Sequence, residues 1–193
     1  PITEAGGATA LTFSSLDDGT TAIPLPFDFD YNGTVFTNTT NFFQVCTNGW
    51  GAFATTATSV STSATNTSLF TTTTPNNTVA PWWDDTDLSA EGVNPQGSVL
   101  HQTTGTAGSR VFTVQWTVSS YFTGSGATQP KLLNMQVKLY EATGVIEFWY
   151  GQAIGSTFNT SESASIGLES ATGGNGQYID AVTGSRFTSN STL

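Results

Sequence analysis

The 193-residue sequence predicts an all-β fold, an antiparallel β-sandwich with jelly-roll-like character, on three observations. No window carries an apolar stripe at i, i+3, i+4 and i+7 for three turns, and Thr, Ser and Gly, which dominate the chain, are poor helix formers. Apolar residues instead alternate with polar ones over short runs. Asn-Gly and Gly-bearing turns punctuate those runs at hairpin spacing.

The elements follow in chain order. Leu25, Phe27 and Phe29 alternate with Pro26, Asp28 and Asp30, and Asn32-Gly33 turns the chain towards Val35 and Phe36. Phe43 and Val45 alternate with Gln44 and Cys46, and Asn48-Gly49 closes that run ahead of Trp50-Gly51-Ala52-Phe53. Phe112, Val114, Trp116 and Val118 form the apolar face of a strand over 110–119. Residues 131–150 predict a hairpin. Leu133, Met135, Val137 and Leu139 line one arm, the turn falls at 141–144, and Ile146, Phe148 and Tyr150 line the return. Short strands are expected at 165–169 and 178–182. Residues 55–78 are rich in Thr, Ser and Asn, with Val60, Leu69 and Phe70 as the large apolar residues, and predict a surface excursion or a polar strand. Residues 119–130 predict a Gly/Ser/Thr loop. Residues 1–10 predict an N-terminal arm, and 11–193 a single domain.

Composition excludes several functions. Four basic against fourteen acidic residues give a net charge of −10, and nucleic-acid binding needs many cations to neutralise phosphate. An anionic membrane surface is disfavoured for the same reason. No apolar run reaches the roughly 20 residues of a membrane helix, so no membrane insertion is expected. Charged residues are 9% of the chain, whereas 36 Thr and 20 Ser supply solubility through hydroxyls. A chain beginning at Pro1 suits a processed, secreted protein at the cell surface or beyond it. Six Asn-x-Ser/Thr sequons lie at Asn32, Asn38, Asn66, Asn76, Asn159 and Asn190.

Few segments offer chemistry. Asp84, Asp85 and Asp87 place three carboxylates within four residues, where like charges repel unless they are solvated, bonded to backbone amides or shared around a cation. Ca²⁺ is the natural cofactor for such hard oxygen ligands, with Glu91 or Asn94 available to add more. The spacing is not that of an EF-hand. Turn-capping by the same aspartates is the simpler alternative. Trp82 and Trp83 are candidate glycan-stacking residues, together with Trp50. Neighbours in a strand face opposite ways, so at most one of the pair is expected in the core, with the other at the surface or against a neighbouring loop.

Paired carboxylates are the realistic route to catalysis, and Glu141 and Glu147 flank the predicted hairpin turn. A retaining glycosidase needs two carboxyls about 5–5.5 Å apart, but Glu147 alternates with Ile146 and Phe148 and faces away from their side. His101, the sole histidine, has no second ligand for zinc. No Gly-x-Ser-x-Gly elbow exists, since Gly124-Ser125-Gly126 is a loop tripeptide. Cys46 has no disulfide partner and is expected half-buried and inert, with cross-linking as its alternative.

The segments LPFDFDYNG at 25–33, CTNGW at 46–50, APWWDDTDL at 80–88, GSV at 97–99, RVFTVQW at 110–116 and VKLYEATGVIEF at 137–148 occur in that order. The chain resembles the nidogen-like β-sandwich modules of large bacterial surface and secreted proteins over residues 11–169. The resemblance implies a non-catalytic extracellular module for adhesion, surface structure or accessory binding. It also implies that Asp84, Asp85 and Asp87 match a recurrent acidic segment. Cys46 and the long Thr-rich stretch at 55–78 depart from the pattern.

Self-assembly is a further expectation. A sandwich has edge strands that accept a strand from a neighbour, and the arm bearing Ile2, Ala8, Ala10 and Leu11 is the candidate donor. The expected partners are copies of the chain itself or surface glycans.

Overall fold

The computed structural model describes residues 1–65, 72–123, 127–151, 154–155, 164–173 and 178–184. Fifteen strand segments are present among them, with one 3-10 turn at Glu4–Gly6. They are β1 (Thr9–Ala10), β2 (Thr20–Pro24), β3 (Phe29–Tyr31), β4 (Thr34–Phe36), β5 (Phe42–Cys46), β6 (Trp50–Ala54), β7 (Thr78–Trp83) and β8 (Thr86–Asp87). There follow β9 (Ser98–Thr104), β10 (Val111–Thr123), β11 (Ala127–Tyr140), β12 (Ile146–Tyr150), β13 (Ile154–Gly155), β14 (Ala164–Glu169) and β15 (Tyr178–Gly184).

Two antiparallel sheets form a sandwich. The first runs β1-β9-β10-β11-β12, with β8 added to β10 and β13 to β11. The second runs β15-β14-β7-β6-β5-β2, and β3-β4 is a separate hairpin. Asn32 and Gly33 both adopt positive φ, the condition for the two-residue turn predicted there. The alternation also holds in the first sheet. Phe112, Val114, Trp116 and Val118 are buried against Leu133, Met135, Val137 and Leu139. The inner faces meet through Phe43 and Phe112, whose rings lie edge-on at 6.0 Å. Trp116 Nε1 donates across the sandwich to the Cys46 carbonyl at 2.8 Å, so the indole is buried without an orphaned donor.

Phe53 is the aromatic hub of the second sheet. Its ring lies 5.4 Å from Phe29, 4.6 Å from Tyr31, 5.1 Å from Phe36 and 5.3 Å from Phe43. The β3-β4 hairpin is thereby fastened to the sandwich by stacking. Tyr31 adds a polar tie, its hydroxyl lying 2.8 Å from both the Thr78 and Glu169 carbonyl oxygens.

Three regions differ from expectation. The loop predicted at 119–130 is strand as far as Thr123 and again from Ala127, with a register shift between Val118 and Ser120. Pro130 stands opposite Ser120 beside that irregularity, where a missing ladder donor is tolerated. Gly124-Ser125-Gly126 lies outside the described residues, as do Leu69 and Phe70.

The second difference is the polar excursion, which is a strap over the outer face of the second sheet. Gln44 Nε2 donates to the carbonyls of Thr56, at 3.2 Å, and Thr58, and Gln44 Oε1 accepts from Val60 N. Asn48 Nδ2 donates to Thr62 O. The Trp50 and Trp83 indoles both donate to Ser63 O, at 3.1 and 3.0 Å. Beneath the strap Cys46, Trp50, Ala52, Ala80 and Trp83 form a satellite core. β6 and β7 are therefore buried on both faces. Cys46 is wholly rather than half buried, and burial pushes its thiol up to about 12, which rules out cross-linking in the folded state.

The third difference is the N-terminal segment. It is docked, not free. Thr9 and Ala10 pair with His101 and Leu100 on β9, and Leu11 N donates to Val99 O. Gln115 uses both ends of its carboxamide on Ile2, accepting from Ile2 N at 3.0 Å and donating to Ile2 O at 3.1 Å. Gln136 Nε2 donates to the same Gln115 oxygen at 2.7 Å. Both glutamines are buried under the arm.

Candidate functional site

The three-residue connection Thr47-Asn48-Gly49 between β5 and β6 organises the acidic end of the sandwich. Gly49 takes φ +74°, as such a hairpin loop requires. Asn48 then reaches two segments distant in sequence. Its Nδ2 donates to Asp18 Oδ1 at 2.8 Å, and its Oδ1 accepts from Thr86 N at 3.0 Å. Thr47 Oγ1 accepts from Gly19 N at 3.0 Å and donates to the Asp17 carbonyl. Thr86 Oγ1 donates back to Thr47 O at 2.7 Å. One turn thus clamps residues 17–19 against 84–87.

The clamp gathers charge. One carboxylate oxygen from each of Asp17, Asp18 and Asp85 lies within 4.8 Å of the others, a spacing that fits a single hard cation. Asp85 feels this most. Burial and the carboxylates of Asp17, Asp18 and Asp87 push it up to about 6. Asp17 is raised as well, by burial and by Asp18 and Asp87. Of the three aspartates expected from the sequence, Asp85 joins the group. Asp84 accepts from Asp85 N at 2.9 Å and Asp87 from Ser89 N at 2.7 Å, the turn-capping alternative. Glu91 and Asn94 pair with each other through their backbones, and Asn94 Nδ2 is spent on Ser119 O. Asp17 and Asp18 were missed. Their signal was Asp-Asp-Gly ahead of a strand, a turn whose carboxylates point the same way as the later acidic loop only after folding.

Trp82 and Trp83 do face opposite ways, yet neither reaches solvent. Trp82 is 4% exposed between the sheets, and Trp83 is 3% exposed beneath the strap with its ring 5.9 Å from that of Trp50. Stacking a glycan on Trp50, Trp82 or Trp83 is therefore corrected, since all three are buried and the neighbouring loop that Trp83 reaches is the strap.

The two glutamates are also committed. Glu141 accepts from Gly108 N, Arg110 N and Arg110 Nε at 2.8–2.9 Å, and its other oxygen pairs with Arg110 Nη2 at 2.5 Å. The guanidinium holds this carboxyl down at about 2. Glu147 accepts from Tyr140 OH at 2.5 Å, which also holds it low. A glycosidase acid needs a raised carboxyl that keeps its proton, and both of these are pushed the other way. His101, half-buried at the arm-bearing β9, is lowered by burial and packs edge-on to Phe112 at 6.1 Å.

Against this geometry, a family model described as NIDO related matches residues 1–192. The chain belongs to the NIDO-related family. The match includes the docked arm and the acidic end. Comparison with curated proteins and with solved structures returned no match. NIDO-related membership suggests an extracellular structural or adhesive module, and the family is in general non-enzymatic. Among the described residues no helix is long and apolar enough to cross a membrane. Of the sequons, Asn32 and Asn38 are exposed and Asn76 is half-buried, while Asn66, Asn159 and Asn190 lie outside the described residues.

Proposed function

We propose that this NIDO-related domain is a non-catalytic extracellular module that joins copies of itself by exchanging the N-terminal arm. The observation that carries the reading is the way the arm is held. It adds a strand to the edge of β9 and occupies a slot floored by the Gln115–Gln136 pair, using backbone groups that every copy presents. A neighbour's arm makes the same bonds, so exchange leaves no buried amide unsatisfied. The low content of charged residues, 9% of the chain, favours such close packing. Light scattering of the intact chain should show species larger than one subunit, and deletion of residues 1–10 should leave a monomer. An unchanged size after deletion refutes the exchange.

The acidic end supports a second role, a structural Ca²⁺ held by Asp17, Asp18 and Asp85. A carboxyl raised on folding favours the folded state while protonated. Stability should therefore fall as pH rises from about 4 through about 6 for Asp85, and up to about 7 for the buried Glu169, raised by desolvation. In chelator at pH 7.5, Asp85→Asn should melt above the parent chain, and the gain should vanish near pH 4. Added Ca²⁺ should raise the parent's midpoint at pH 7.5 more than at pH 5, and Asp85→Asn should respond less. A parent midpoint indifferent to Ca²⁺ and chelator at pH 7.5 removes the cation.

A further inference from the structure

One tryptophan was not singled out by the sequence, and it is the exposed one. Trp149, on the edge strand β12, is 52% exposed, whereas Trp50, Trp82, Trp83 and Trp116 are at most 4% exposed. The side chain is nevertheless held. Lys138 Nζ lies 3.7 Å from its ring centroid, and the Glu147 carboxylate, two residues back on the same strand, accepts from Tyr140 OH at 2.5 Å. Lys138 is the direct cross-strand partner of Glu147, so sheet register fixes all of these groups. The ammonium covers one ring face, leaving the half-exposed remainder on the solvent side. On the same hairpin a shallow groove is lined by Tyr140, Thr143, Val145 and Glu147.

We propose that Trp149 is the stacking platform of a carbohydrate subsite that takes a neutral pyranose. A rigid indole offers a flat apolar face to the C–H face of a sugar ring at little conformational cost. The rim supplies hydroxyl partners. A carboxylate accepts about four hydrogen bonds, so Glu147 has capacity left beyond Tyr140. Thr143 Oγ1 accepts from Val145 N and keeps its own proton to donate. Glu147 at the groove and the net charge of −10 disfavour uronate, sialate and phosphate groups, with the Lys138 ammonium on the ring as the opposing local charge. Size selects a sugar over a protein. Trp149 and Val145 are the exposed large apolar residues of this patch, a footprint for one sugar ring rather than the contiguous apolar patch of a protein contact.

This subsite is independent of arm exchange and of the acidic end. Its test is an NMR titration of the full chain with the methyl glycosides of glucose, galactose, mannose and N-acetylglucosamine, with glucuronate as the anionic control. At least one neutral sugar should shift the Trp149 indole N–H saturably while glucuronate does not. Trp149→Ala should weaken binding by at least about tenfold, as expected of a central aromatic contact, with the four buried indole signals unmoved. Trp149→Phe should retain part of the affinity. The proposal fails if no neutral sugar moves the Trp149 signal, or if the response survives in Trp149→Ala. It also fails if Trp149→Ala instead abolishes a concentration-dependent self-association, which would give the face to a second copy.

Discussion

Phe53→Ala is expected to lower folding stability by about 3–5 kcal/mol, the cost of emptying an aromatic site in a packed core. Phe53 is buried and touches four rings from three other elements, Phe29 and Tyr31 on β3, Phe36 on β4 and Phe43 on β5. Its removal leaves a void that none of them can close alone, because each belongs to a strand fixed by its own ladder. The β3-β4 hairpin, a two-stranded sheet of its own, should loosen first. At about 2–4 °C per kcal/mol for a domain of this size, the melting midpoint should drop by roughly 6–20 °C. Denaturant unfolding followed by tryptophan fluorescence measures it. A loss below about 1 kcal/mol would mean that the hairpin is not held by this ring.

Gly49→Ala should be nearly as damaging, for a reason of backbone geometry. Gly49 has φ +74°, and a Cβ there would be driven into the Trp82 carbonyl oxygen and lie 2.8 Å from Met135 Cε. The carbonyl belongs to β7 and cannot swing away as a side chain would. A cost of about 3–4 kcal/mol follows from the strained φ and the displaced strand together. Gly33 makes the control. Its φ is +78°, yet a Cβ there meets nothing within 4 Å, so Gly33→Ala should lose only about 1 kcal/mol. Because the Thr47–Gly49 turn also clamps Asp18 and Thr86, Gly49→Ala should erase the Ca²⁺ response before the chain unfolds. Equal melting curves for the two alanine variants would show that the contact with β7 is not limiting.

Much of the fold was legible because local rules and tertiary packing agree. Alternation over 112–118 and 133–139, and the Asn-Gly turns at 32–33 and 48–49, use periodicities of two and of turn length that no distant contact overrides. What escaped depends on distant pairing. Trp83 carries no mark of burial on its outward face, since its cover is a Thr/Ser segment that resembles a solvated loop. The arm's docking rests on Gln115, an amide on the polar side of its strand that would ordinarily be solvated. The acidic end was half legible. Asp85 stood out through its neighbours in sequence, while Asp17 and Asp18 reach it through a hairpin turn between strands they do not belong to. Trp149 was hidden by its company, since Phe148 and Tyr150 beside it do pack against the core.

The strap has a consequence for how this domain can diverge. Gln44, Asn48, Trp50 and Trp83 all grip it through its carbonyl oxygens and one amide, groups that every amino acid except proline supplies in full. The Thr20–Ser59 hydroxyl contact ties a strap side chain to the sheet. The hydroxyls of Thr56, Ser59, Ser61 and Ser63 bond nearby backbone within the strap, local turns that other short polar residues can also make. Such a surface can be rewritten residue by residue while the satellite core beneath it stays dry. One layer of this protein is thus free to change its outward chemistry without any change in architecture.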